Sequence, residues 1–174
     1  MTLVELMVAT GVGSIVLVAV MALSLFSART FAALTNYVQL DIKSRTALDT
    51  MAMDIRQADA LTAATSTSLT FRTMDPDTGV TNTLAYNYDP SRTTLTRTLA
   101  GQSTVLLTNC TFLQFSIFKR NPEGGTYDQY PVDDPTRPDL CKLVQLTWVC
   151  SRNVLGRFAN TESVQSAKIV MRKP

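Results

Sequence analysis

Glu5 is the only charged side chain among residues 1–28, and it stands at the head of an uncharged run from Leu6 to Ala28. A carboxylate at the centre of a membrane helix costs about 3 kcal/mol on insertion scales, so Glu5 needs a compensating partner. Two are physically available. One is the N-terminal end of the helix dipole, which favours an anion; the other is a free α-amino group. If Met1 is a processed terminus, the amine of one copy can meet Glu5 of its neighbour. The residues alone leave open the alternative of an ordinary signal anchor with Glu5 among the lipid headgroups.

The other side chains with chemical potential lie far downstream. Cys110, Cys141 and Cys150 are too few for a four-ligand zinc site and have no CxxC spacing, so a single disulfide in an extracytoplasmic compartment is the simplest chemistry for them. Between Arg120 and Leu140, Glu123, Gly124, Gly125, Asp128, Asp133, Asp134 and Asp139 gather oxygens and turn residues, but their spacing matches no EF-hand loop. They read as solvated acidic groups in a proline-rich turn, whose Tyr127, Tyr130 and Pro131 are suited to packing on a neighbouring subunit. Asn109-Cys-Thr111 has the form of a glycosylation sequon, and the Thr/Ser run from Thr62 to Thr73 is open to O-linked sugars; strand chemistry accounts for both. The chain has no histidine, which removes the commonest general base and the commonest imidazole ligand. A membrane-anchored hydrolase therefore lacks its constellation, and no enzyme activity, metal or cofactor is expected. Its 16 basic and 14 acidic residues are interspersed, with a net charge of +2, so no basic stripe invites nucleic acid.

These residues must be positioned by three stretches: an apolar helix over 1–28, an amphipathic continuation over 29–60, and a β-rich head over 61–174. The 174 residues suit one head with an appendage. The 23 uncharged residues from Leu6 to Ala28 would extend about 35 Å as a helix, enough for a hydrocarbon core of about 30 Å. They lack the basic start, short apolar region and cleavage site of a secretory signal peptide, and the first basic residues, Arg29 and Lys43, follow the helix. Beyond Ala28 the apolar residues Phe31, Leu34, Val38, Ile42, Leu48, Met51 and Ile55 recur mostly every third or fourth position. The expectation is one helix from near Thr2 to Ala60, about 90 Å long, whose second half covers its own sheet. Gly11 and Gly13 each cost about 1 kcal/mol inside such a helix and mark either close helix packing or local melting.

The head reads as strands over Leu69–Thr73, Thr83–Tyr88, Thr93–Leu99, Thr111–Lys119, Lys142–Cys150 and Ser166–Arg172, with turns at Asp75–Gly79 and Asp89–Ser91. The fold class is α+β: a long helix packed by its second half on an antiparallel β-sheet. If Thr111–Lys119 and Lys142–Cys150 form a hairpin, Lys142 lies opposite Phe118 and Cys150 opposite Cys110, and a Cys110–Cys150 disulfide follows. Other pairings fare worse, because nine strand residues span about 30 Å while bridged Cα atoms lie within about 7 Å.

The stretch Met1-Thr-Leu-Val-Glu5-Leu-Met-Val-Ala-Thr10 resembles the mature start of type IV pilins and type II secretion pseudopilins, usually Phe-Thr-Leu-(Leu/Val/Ile)-Glu. The resemblance implies a leader removed by a prepilin peptidase, a methylated amine on Met1, and docking guided by Glu5, with Thr2 and Leu3 in register. It implies as partners an inner-membrane assembly platform and other copies joined through their N-terminal helices. The chain would sit in the bacterial inner membrane before assembly, then in a surface filament, or in the periplasm if a pseudopilus. Methionine replaces the usual phenylalanine, and Ala22 stands where many members carry the proline at which the helix melts. Ser44–Gln57, Leu95-Thr-Arg-Thr-Leu99 and Thr111-Phe-Leu-Gln-Phe-Ser116 resemble minor subunits of the J or W type. The expected function is a structural filament subunit. A minor subunit that primes or caps a pilus or pseudopilus, and a single-pass anchored adhesin or sensor, are the alternatives.

Overall fold

A computed structural model of the chain describes residues 2–75, 78–120, 129–132, 137–152 and 162–172. One helix, α1, runs unbroken from Leu3 to Gln57, about 83 Å at 1.5 Å per residue. Alanine, leucine and methionine sustain it, and no proline occurs before Gln57. Gly11 and Gly13 lie inside it without a break; a Cβ at either would meet open space.

Among the described residues nine strands follow: β1 (Ala60–Ala64), β2 (Ser68–Met74), β3 (Thr81–Asp89), β4 (Thr94–Leu99), β5 (Gln102–Leu107), β6 (Cys110–Arg120), β7 (Gln129–Pro131), β8 (Leu143–Ser151) and β9 (Glu162–Val170). The expected antiparallel head is present, divided into two sheets, β1-β2-β3-β4-β5 and β7-β6-β8-β9. The chain changes sheet between β5 and β6, where Asn109 takes the left-handed φ of 57°. That turn directs β6 away from β4 and toward β8. The hairpin turn between β4 and β5 puts Ala100 and Gly101 at φ of 49° and 82°, the two positive values of a type I′ turn. The expected turn at Asp89 closes on its own carboxylate, which accepts from Ser91 N–H, Ser91 Oγ and Arg92 N–H.

Buried residues of both sheets and of α1 form one core, with Trp148, Tyr86, Phe71, Met51 and Ile55 the largest fully enclosed side chains. Each such aliphatic or aromatic group contributes about 2–3 kcal/mol by leaving water. The helix supplies Leu40, Ser44, Ala47, Met51 and Ile55, spaced three or four residues apart. This corrects the stripe read from sequence. Phe31, Leu34, Val38 and Ile42, expected to cover the head, are 69%, 58%, 46% and 58% exposed. The buried and exposed sets are offset by two residues, about 200° around the helix, so the periodicity runs through two opposite faces.

Cys110 pairs with Cys150, as the hairpin register requires. A bulge at Thr111 then shifts the pairing by one residue, so Phe118 faces Leu143 rather than Lys142. Lys142 N–H still donates to Phe118 O at 2.9 Å. Within the stretch read as a long loop, β7 pairs with β6 and Pro138–Leu140 forms a 3-10 turn. Asp139 takes the Arg137 guanidinium there, at 3.2 and 3.3 Å. Glu123, Gly124, Gly125, Tyr127, Asp128, Asp133 and Asp134 lie outside the described residues.

Candidate assembly site

The N-terminal end of α1 is built by a reciprocal cap. Thr2, with φ −86° and ψ 153°, is the N-cap. Its Oγ1 accepts from Glu5 N–H at 3.3 Å, and Glu5 Oε2 accepts from Thr2 N–H at 2.7 Å. This capping box satisfies two of the amide donors that a helix start leaves without partners. It also supplies a compensation for the Glu5 carboxylate that sequence reading missed. The signal was present, since Thr2 and Glu5 have the spacing of the motif. Met1 lies outside the described residues, Leu3 begins the helix, and Glu5 stands in its first turn where the dipole favours an anion.

Every side chain from Thr2 to Phe26 is exposed in the single chain. This stretch belongs to the one helix, among the described residues, that is long and apolar enough to cross a membrane. Two of its hydroxyls are returned to the helix itself, Thr10 Oγ1 donating to Leu6 O and Met7 O and Ser14 Oγ to Gly11 O, and just beyond it Thr30 Oγ1 donates to Phe26 O. That self-satisfaction lowers the cost of placing the segment in an apolar medium. A membrane-compatible helix is therefore what this end of the chain offers chemically.

The other end of α1 is fixed to the head by a polar clamp. Asp54 accepts from Arg97 Nε at 2.6 Å and Nη2 at 3.0 Å, and from the Tyr86 hydroxyl. β4 presents Arg97 on the same face as Leu95 and Leu99, and β3 presents Tyr86 between Leu84 and Tyr88. Burial, then the hydrogen bond to Asp54, push the Tyr86 phenol far above its ordinary value. The hydrogen bond to Asp54 raises Arg97 further. Ser163 Oγ donates to Ser44 Oγ at 3.3 Å, and Arg152 Nη1 donates to Gln39 Oε1 at 3.1 Å, adding contacts along the same helix face.

Cys110, Cys141 and Cys150 are all buried thiols in this structure. The Cys110 thiol is pushed up by its interaction with the neighbouring Cys150 and by burial, while the same interaction draws Cys150 down. The Cys141 Sγ reaches Leu143 O at 3.5 Å. The site residues therefore fall into two groups. Thr2, Leu3, Glu5, Gly11 and Gly13 line the projecting helix; Cys110 and Cys150 meet inside the head. No protein-family model, curated protein or solved structure matches this chain.

Proposed function

We propose that the chain is a structural subunit of a type IV pilus-like filament, assembled through α1. The observation that carries this reading is the apolar surface of α1, exposed from Thr2 to Phe26 and prolonged along the outward face by Phe31, Leu34, Val38 and Ile42. A membrane covers only the first part. The outward stripe lies beyond a 23-residue span and adds about 16 Å of apolar helix that a simple anchor would leave in water. This favours packing between subunits over the anchored adhesin or sensor. Glu5, with one oxygen held by Thr2 N–H, has the other to offer the amine of an adjacent copy. A prepilin peptidase and an inner-membrane platform are the partners this reading entails, with transit from inner membrane to a surface or periplasmic filament.

The test is electron microscopy of sheared surface material from cells making the native chain or Glu5→Ala, with mass spectrometry of the subunit's N-terminus. Filaments built from a chain starting at methylated Met1, and lost with Glu5→Ala, are expected. An unprocessed chain retained in the membrane without filaments would refute the reading. A processed chain present only in traces would assign it the role of a minor, priming or capping subunit.

A further inference from the structure

The assembly reading makes no use of the cysteines. Cys110 opens β6 directly opposite Cys150 in β8, and surrounding bonds hold both backbones in place. Cys110 N–H donates to Thr93 O at 2.9 Å, its carbonyl accepts the Tyr88 hydroxyl at 2.9 Å, and Ser151 N–H donates to Asn109 O at 2.9 Å. Directly opposed residues of an antiparallel pair have Cα atoms about 4.5–5.5 Å apart, inside the span that a disulfide bridges. Cys110 Sγ donates to Phe112 O at 3.1 Å, and both side chains are buried in the same core. Cys141 precedes β8 at its other end, about nine residues or roughly 30 Å along the strand from Cys150, out of reach of the pair.

We propose that Cys110 and Cys150 are a modification site: they close to an intrachain disulfide as the head folds in an oxidising compartment, leaving Cys141 as a thiol. The oxidant is, by class, a disulfide-carrying protein. The thiolate of one cysteine attacks that disulfide, forming a mixed disulfide and releasing one oxidant sulfur as a thiolate. The thiolate of the second cysteine then attacks the sulfur of the first and displaces the other oxidant sulfur. Two protons leave the cysteines, and two electrons remain in the dithiol of the oxidant. Because Cys110 and Cys150 are 0% and 1% exposed, exchange precedes closure of the core. The finished bond is then shielded from reductants, which makes it structural rather than a switch.

The position gives the bond its consequence. Cys150 stands opposite Ser163 of β9, whose hydroxyl donates to Ser44 of α1, and the Tyr88 hydroxyl of the first sheet donates to the Cys110 carbonyl. The link would lock the second sheet at the point where the first sheet and the helix both meet it. It requires a head outside the reducing cytosol but no polymerisation, so its failure and failure of the filament reading are separate results.

The test takes the native full chain in detergent, with thiols trapped by N-ethylmaleimide during denaturation, before and after reduction. One tag, at Cys141, rising to three on reduction, with a Cys110–Cys150 linked peptide in the mass spectrum, is the expected result. Reduction under unfolding conditions should also lower the thermal midpoint by about 10 °C, as a loop of this length implies. Three tags before reduction, or any linkage containing Cys141, would overturn the proposal.

Discussion

Replacing Asp54 by alanine removes the acceptor on which the joint between helix and head converges. Three hydrogen bonds are lost, two from the Arg97 guanidinium and one from the Tyr86 hydroxyl. Breaking a fully buried ion pair costs about 3–5 kcal/mol, because the surviving charge is left without compensation. Here the Arg97 and Asp54 side chains are 21% and 15% exposed, so water recovers part of that loss. Tyr86 is fully enclosed, and its hydroxyl keeps a desolvation penalty of about 1–3 kcal/mol. The expected destabilisation is therefore about 3 kcal/mol for Asp54→Ala. Asp54→Asn, which keeps one carbonyl acceptor, should cost about half as much. Denaturant titration of the detergent-solubilised full chain measures both, and the alanine change should lower the thermal midpoint by roughly 6–12 °C. A double-mutant cycle with Arg97→Ala should return a coupling above about 1 kcal/mol. Additive effects, or an Asp54→Ala loss below about 1 kcal/mol, would refute the claim that this clamp carries the joint.

Two further outcomes follow from the same geometry. Tyr86 ionises freely near pH 10 when unfolded, but burial and Asp54 hold its proton when folded. Its contribution is thus fully present below about pH 10 and is lost as pH rises above that value, where only the unfolded state releases the proton. Unfolding free energies measured between about pH 8 and about pH 12 should fall, less steeply in Tyr86→Phe, whereas identical slopes would contradict this. On α1, Val38→Asp with Ile42→Asp should leave stability within about 0.5 kcal/mol while abolishing filaments in micrographs; Leu40→Asp, on the buried face, should unfold the head. Filaments that survive the double change would show that the outward stripe is not an assembly surface.

Much of this architecture is legible from local pattern. The apolar run, the long helix and six of the strands stand out because period and composition agree over many residues. β1 and β5 are harder to read. Ala60–Ala64 resembles a helix end by propensity, and the turn before β5 uses Ala100-Gly101 in place of the Asn-Gly or Asp-Gly pair that marks such hairpins. The Cys110–Cys150 register follows from simple counting, yet the bulge at Thr111 is a local event that no periodicity announces. Arg97 signals the clamp in the sequence: it occupies an inward position between Leu95 and Leu99, where an arginine needs a carboxylate. Which carboxylate answers it depends on where α1 crosses the sheet. That crossing is a tertiary fact, and Asp54 lies 43 residues away.

The two faces of α1 explain why its second half misleads a reading by periodicity. The head-facing stripe includes Ser44 and Ala47, small residues that let the helix lie close to β9 and β8, and much of its hold comes from Met51, Ile55 and the Asp54 clamp. Phe31, Leu34, Val38 and Ile42 are thereby left on the far side. Exposed apolar area contributes nothing to folding of the single chain, because it faces water both before and after. Its benefit arises only when another apolar surface covers it, at about 25 cal/mol per Å² removed from water. Substitutions on the two faces should therefore separate cleanly. Those on the inward face change folding, and those on the outward face change association alone, a division that a helix serving only as an anchor would have no reason to show.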